Sequence, residues 1–416
     1  MFAVAAAASC LVGVIGGGFR WCLEQADRLR GSLLEATAGL GVVSWLVPIA
    51  LTAVGAAVAC AIAQRVPHAA GSGIQHVEAV WRQESEARSL WLLPTKFTGG
   101  LIAIGSGLVL GREGPIVHMG ASIGFLTGRH TGLDAKDARL LHTALGGAGL
   151  AAAFTAPLGG LLFVCEEVTA SIRPRLVLLT LVSTVVAVAC SGVIVGGAPV
   201  FPVPGIPTPP LWMLPVFLLF GVTAGALGAA YSALVVRTLE ACDRLTRVPL
   251  VVRAAVIGAV VGALMAVDPL LAGGGDPLSE RLLAAGAPTS ALLVTYLAVR
   301  FVAGPLSYAA ATPGGLFAPL LALGALWGAL AHALVSPLLP ADAAGAAAFA
   351  VVGMAALFTG VVRAPLTGIV LAMEMTGADT LLVPLLLTCF SATMTADWVE
   401  SEPIYDSLRR RMLERP

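Results

Sequence analysis

One carboxylate stands apart in a chain dominated by Ala, Leu, Val and Gly. Glu113, in GREGPIVHMGASIG (residues 111–124), is flanked by Arg112, by glycines and by Pro115. An ionisable side chain within apolar helical sequence is costly to bury and is therefore a functional candidate. Small, flexible residues directly before an apolar run recur at GSGIQ (71–75), GREGP (111–115) and PGGLFAP (313–319). Where a helix starts, its first amides have no intrahelical partner and its dipole adds partial positive charge, so such ends attract anions. Amide dipoles and hydroxyls release an ion readily, whereas an unpaired Lys or Arg grips it. The pattern predicts an anion seat built at interrupted helices. Glu113 is then a tethered anion that fills the seat when ionised and loses most of its attraction to it when protonated.

The elements that must position this seat are membrane helices. Of 416 residues, 58% are hydrophobic and only 12% charged, and the mean hydropathy is +0.92; a soluble domain carries about twice that charge. Uncharged runs at Ala36–Gln64, Leu176–Val195 and Leu211–Val236 are long enough to span a hydrocarbon core and do not alternate as barrel strands would. The expected fold class is an all-α polytopic membrane protein. Lys+Arg and Asp+Glu both number 24, so no net field recruits nucleic acid or anionic lipid. The seven cysteines form no C-x-x-C pair and read as small core residues, so neither a metal nor another cofactor is expected. The N-terminal MFAVAAAASCLVGVIGGGF lacks a basic start and reads as the first membrane helix, and the basic end LRRRMLERP predicts a cytoplasmic C-terminus.

The chain echoes itself. Gly71 is answered by Gly273, Pro115 by Pro319, and APLGGLLFVCEE from Ala156 by APLTGIVLAMEM from Ala364, with offsets drifting only from 202 to 208 residues. Two membrane repeats are expected, 1–205 and 206–416, with GGAPVFPVPGIPTPP (196–210) between them and no soluble domain. Duplicated membrane chains with broken helices are typical of transporters whose site lies where the repeats meet. Glu166 and Glu167 are adjacent on an apolar helix and point about 100° apart, so one of them is structural. Glu166 is matched by Glu374, whereas Glu167 is matched by Met375 and is the singular one.

GSGIQ, GREGP, GGLFAP and IYDSL together resemble the four signature segments of the CLC family of chloride channels and proton-coupled chloride exchangers, and LPTKFTGG and VRAPLTGIVLAMEMT are similar to it as well. The resemblance covers nearly the whole chain. It implies a homodimer in the cell (inner) membrane, each subunit made of two inverted halves with its own anion pathway. It also implies that Ser72 and Tyr405 donate hydroxyls to a central anion and that Leu316 and Phe317 contribute amides to an outer one, beside Arg112 and Glu113. Glu167 becomes the inner proton-transfer carboxylate, so chloride/proton exchange across the lipid bilayer is expected, with a passive chloride channel as the alternative. Ser72 has a plainer reading as a helix N-cap, and Tyr405 as an interfacial aromatic. His118 and Lys96 read as packing residues. The sequence departs from the family at Gln75, where proline is usual. It also starts near the family's second helix and stops soon after the tyrosine segment, so no nucleotide partner is expected. GGGD at Gly273–Asp276 with Tyr405-Asp406 matches the short motifs of intramembrane aspartyl proteases. Such an enzyme needs two aspartates facing each other to share a proton.

Overall fold

The computed structural model describes residues 1–87, 90–203, 205–284, 288–340 and 343–414. Pro204 of the connector and Arg415 and Pro416 of the basic tail lie outside the described residues. These residues form helices joined by short turns, without a strand. Through the first half run α1 (Phe2–Thr37), α2 (Val42–Ala63), α3 (Ile74–Trp81), α4 (Leu92–Gly105), α5 (Glu113–His130), α6 (Ala135–Phe154), α7 (Pro157–Phe163) and α8 (Pro174–Val195). Through the second run α9 (Leu214–Asp243), α10 (Leu250–Val267), α11 (Asp276–Ala284), α12 (Ser290–Tyr308), α13 (Phe317–Val335), α14 (Ala346–Val362), α15 (Pro365–Thr376) and α16 (Leu382–Trp398), followed by α17 (Ile404–Leu413). Among the described residues, eight helical stretches are long and apolar enough to cross a bilayer. The chain is a multi-pass membrane protein.

Local chemistry sets the breaks. The uncharged run from Ala36 is not one span: α1 ends at Thr37, and Gly39 (φ 84°) and Gly41 (φ 59°) turn the chain through left-handed backbone before α2 begins. Prolines open α7, α8 and α15 at positions where the missing N–H costs nothing. Thr155 ends α6 and Arg363 ends α14 in the same left-handed conformation.

Packing follows the same pairing in both halves: α5 lies along α6 and α13 along α14, while α1 meets α8 and α9 meets α16. Small residues permit these contacts, because helices in lipid associate by close backbone approach. Gly120 and Gly124 sit against the carbonyls of Leu145 and Leu141, and their counterparts Gly324 and Gly328 sit against those of Gly353 and Phe349. A Cβ at Gly124 would come within 2.6 Å of the Leu141 oxygen. Helices α6 and α14 are enclosed by the rest of the molecule, whereas α10 presents Val252, Val256 and Val260 outward as an apolar strip at four-residue spacing. Cys60, Cys165 and Cys389 are buried as small core residues; the Cys10 and Cys190 thiols instead approach to 3.0 Å where α1 meets α8.

Candidate functional site

Backbone hydrogen bonds draw three helix starts together. The Gly71 amide donates to Thr312 O at 2.9 Å and the Gly314 amide to Gly71 O at 3.1 Å; Gly111 and Gly315 exchange amides at 2.7 and 2.8 Å. The N-termini of α3, α5 and α13 therefore converge, as their small-residue leaders predict. Gly71 (φ 67°) and Gly73 (φ 91°) supply the left-handed turn into α3, a shape that a Cβ would strain. Lys96, fully buried on α4, fixes that turn by donating to Gly71 O at 2.7 Å and Ser72 O at 3.2 Å. Arg300 on α12 grips the matching turn of the second half through Leu270, Ala272 and Gly273 carbonyls at 2.8–3.0 Å. Lys96 is thus a clamp on the site and more than a packing residue. His118 does pack: its ring lies against Gly73 and shares a 2.9 Å hydrogen bond with His76.

Glu113 opens α5 and is wholly buried. Its Oε2 accepts the Ala318 amide at 3.3 Å, in the first turn of α13, and lies where a side chain on Gly111 would stand. The donor is one residue beyond the expected Leu316 and Phe317; Leu316 caps α13, and the Phe317 ring packs between Phe154 and Phe358 at centroid distances of 5.2 and 4.4 Å. Arg112 stands 4.0 Å from Glu113 but is committed to Asp276 at 2.6 Å. Glu113, Arg112, Asp276 and Ala318 line a cavity of about 320 Å3 together with Asp27, Arg30 and the Gly273–Gly275 turn, so Glu113 borders open space.

Behind Glu113 lie two hydroxyls with no partner among the described residues. Ser72 Oγ and Tyr405 Oη are both fully buried and find no hydrogen-bond partner among the described residues. Helix α3 is capped at Gly73 with no side-chain bond, so Ser72 is not its N-cap. Tyr405 is enclosed, not interfacial, and lies within Coulombic reach of both Glu113 and Glu167. A buried hydroxyl left unbonded loses hydration without compensation; among several such hydroxyls these two belong to segments that meet, Ser72 leading into α3 and α17, which carries Tyr405, packing against α3. Gln75 is buried beside them, its Nε2 3.5 Å from the Tyr308 hydroxyl, which also receives the Ser72 amide at 3.3 Å.

The two adjacent glutamates part ways. They sit on a π-helical turn, Val164–Val168, at the end of α7 and not on a regular α-helix. Glu166 accepts the Leu366 and Thr367 amides (3.0 and 2.6 Å) and the Thr367 hydroxyl (2.7 Å) at the start of α15. Glu374, on α15, returns the favour at the start of α7 through Leu158 and Gly159 amides at 3.0 and 2.8 Å. The matched pair is structural. Glu167 turns instead into hydrogen-bond contact with Glu78, an almost wholly buried residue of α3. Glu78 and Ala318 do not stand out from the sequence, and Lys96 reads there only as a packing residue. Glu78 and Lys96 nonetheless carry a signal, an ionisable residue in an apolar run beside the Gly-rich turn; the Ala318 amide carries none. The two aspartates of the protease-like motifs do not face each other: Asp276 pairs with Arg112, and Asp406 with Arg409 at 2.6 Å.

A sequence model of the Voltage gated chloride channel family matches residues 54–397. The chain belongs to that family. It is 35% identical over 418 residues to the H(+)/Cl(-) exchange transporter ClcA of Vibrio parahaemolyticus, covering 99% of this chain and 89% of the relative. The ClcA of Salmonella typhimurium is 34% identical over 421 residues, with 99% and 88% covered. Among solved structures, a slow cyanobacterial Cl-/H+ antiporter superposes with a TM-score of 0.91 at 29% identity, over 100% of this chain and 98% of that one. A CLC-type fluoride/proton antiporter shares the fold at a TM-score of 0.81 and 19% identity, with 97% and 95% covered.

Proposed function

We infer that this protein exchanges chloride for protons across a membrane, with Glu113 as the acid that both ions contend for. The observation that carries this reading is the buried, partnerless pair Ser72 Oγ and Tyr405 Oη, set between an outer acid on a helix-start amide and an inner acid on a π turn. An anion accepting from both hydroxyls satisfies them. Ionised, Glu113 holds the Ala318 amide and blocks the outward route; protonated, it no longer competes for that amide and an anion takes its place. Because one site serves either the carboxylate or the halide, proton uptake and anion movement are linked. Glu167, with Glu78 beside it, offers the proton a branch that leaves the anion route. Leu316 and Phe317 shape the outer seat, and Arg112 contributes positive field from its pair with Asp276.

The relatives' names support exchange, and the full-length likeness to a Cl-/H+ antiporter supports it further. Two repeats, 1–205 and 206–416, are supported by the paired left-handed turns, the paired glycine contacts and the reciprocal Glu166 and Glu374 caps. A homodimer in the inner membrane with its C-terminus in the cytoplasm completes the proposal, following the family resemblance and the basic tail. Reversal potential across a pH gradient in proteoliposomes tests the reading. An exchanger's value shifts with the gradient; a pH-independent value identifies a passive channel and refutes it.

A further inference from the structure

Arg409 lies one turn beyond Tyr405 on the buried face of α17 and is only 8% exposed. Its Nη1 donates to both oxygens of Glu84 at 3.0 and 2.7 Å, its Nη2 to Asp406 at 2.6 Å, and its Nε stands 3.5 Å from Glu78 Oε2. Arg82 approaches Asp406 at 3.5 Å. From the neighbouring π turn, Glu167 reaches the same Glu78 carboxyl, with Glu166 beside it. Helix α14, which also packs against α17, carries no charged residue. One guanidinium therefore ties the helix that bears Tyr405 to the helix that starts at the anion seat, and its third nitrogen points at the acid pair of the proton branch.

We propose that Arg409 is a positioning residue for proton transfer: it holds Glu78 against Glu167 and sets how readily that pair gives up its proton. This rests on Glu167 being the inner proton-transfer acid. Two carboxyls in contact resist joint ionisation, so they retain one proton between them, and a cation alongside favours the ionised form. Removing the cation makes the pair hold its proton to higher pH. Proton delivery then becomes the slow step, and chloride passes with fewer protons. Glu84 has the opposite influence, because it draws the guanidinium away from Glu78 and adds negative charge nearby.

The test is proton-driven chloride uptake and reversal potential in proteoliposomes over a pH series, for the parent, Arg409→Gln, Arg409→Lys, Glu84→Gln and Glu167→Gln. Arg409→Gln is expected to move the midpoint of the proton-flux profile up by about one pH unit and to raise the chloride-to-proton ratio. Arg409→Lys, which keeps the charge, restores most of the midpoint. Glu84→Gln moves the midpoint the other way, a displacement that a merely structural role does not produce. Glu84 is a partly exposed residue, so its variant decides the matter should Arg409→Gln not fold. Parent-like midpoints in the folded variants overturn the proposal. Continued proton movement in Glu167→Gln overturns instead the assignment of Glu167 on which it stands.

Discussion

Replacing Glu113 by Gln keeps the size of the side chain and removes its charge. In the structure, that charge faces two backbone donors, the Ala318 amide at 3.3 Å and its own amide, with Arg112 Nε at 4.0 Å while Arg112 Nη1 is committed to Asp276. A hydrogen bond to an ionised group is worth roughly 1.5–3 kcal/mol. The bond that crosses to α13 is long at 3.3 Å, so the lower end applies. A free anion no longer has to displace this carboxylate, and each 1.4 kcal/mol is about a tenfold change in affinity. Glu113→Gln is therefore expected to bind chloride about tenfold more tightly, measured by titration calorimetry on detergent-solubilised protein. The parent's turnover depends on protonation, by up to about tenfold per pH unit while the acid is limiting. In vesicles of the variant, chloride flux should be flat with pH and should carry no protons. An unchanged affinity together with a pH dependence as steep as the parent's would refute the idea that carboxylate and halide share one seat.

Three further substitutions probe the framework. Gly111→Ala puts a methyl where Glu113 Oε2 now lies and 2.9 Å from the Ala318 nitrogen, so chloride exchange should fall at least tenfold in protein that still elutes as a folded species; parent-like flux would mean that the seat is elsewhere. Lys96→Met strips the Lys96 donor from the Gly71 and Ser72 carbonyls; Gly71 O keeps the Gly314 amide, whereas Ser72 O loses its lysine partner, at a cost of about 1–3 kcal/mol if left unbonded. Its apparent Tm in detergent should drop and its chloride affinity weaken; an unchanged affinity would show that the turn needs no clamp. Glu166→Ala removes three hydrogen bonds at the start of α15 and should destabilise the protein by about 2 kcal/mol, seen in thermal unfolding, while leaving the chloride-to-proton ratio as it was. A changed ratio would give Glu166 a part in transport.

Sequence alone determined much of this protein, because membrane burial leaves few chemical choices. Its apolar runs required helices, and its glycine- and proline-rich leaders marked where helices begin within the bilayer. The rarity of ionisable residues made Glu113 conspicuous, and the echo of Glu166 in Glu374 separated the structural glutamate from the singular one. Tertiary structure decided which atoms meet. That the Ala318 amide holds Glu113, that Lys96 clamps the turn into α3, and that Glu78 shares Glu167's environment depend on contacts between residues 25 to 205 positions apart. Such contacts follow from packing and backbone pairing between elements, which no local pattern encodes. The Ala36–Gln64 run shows the same limit: hydropathy is uniform across it, yet the backbone turns at Gly39 and Gly41. Ser72 makes the point most plainly. Its residue type fits a helix cap, but α3 is capped at Gly73, so the hydroxyl has no partner among the described residues and is left free to face an ion.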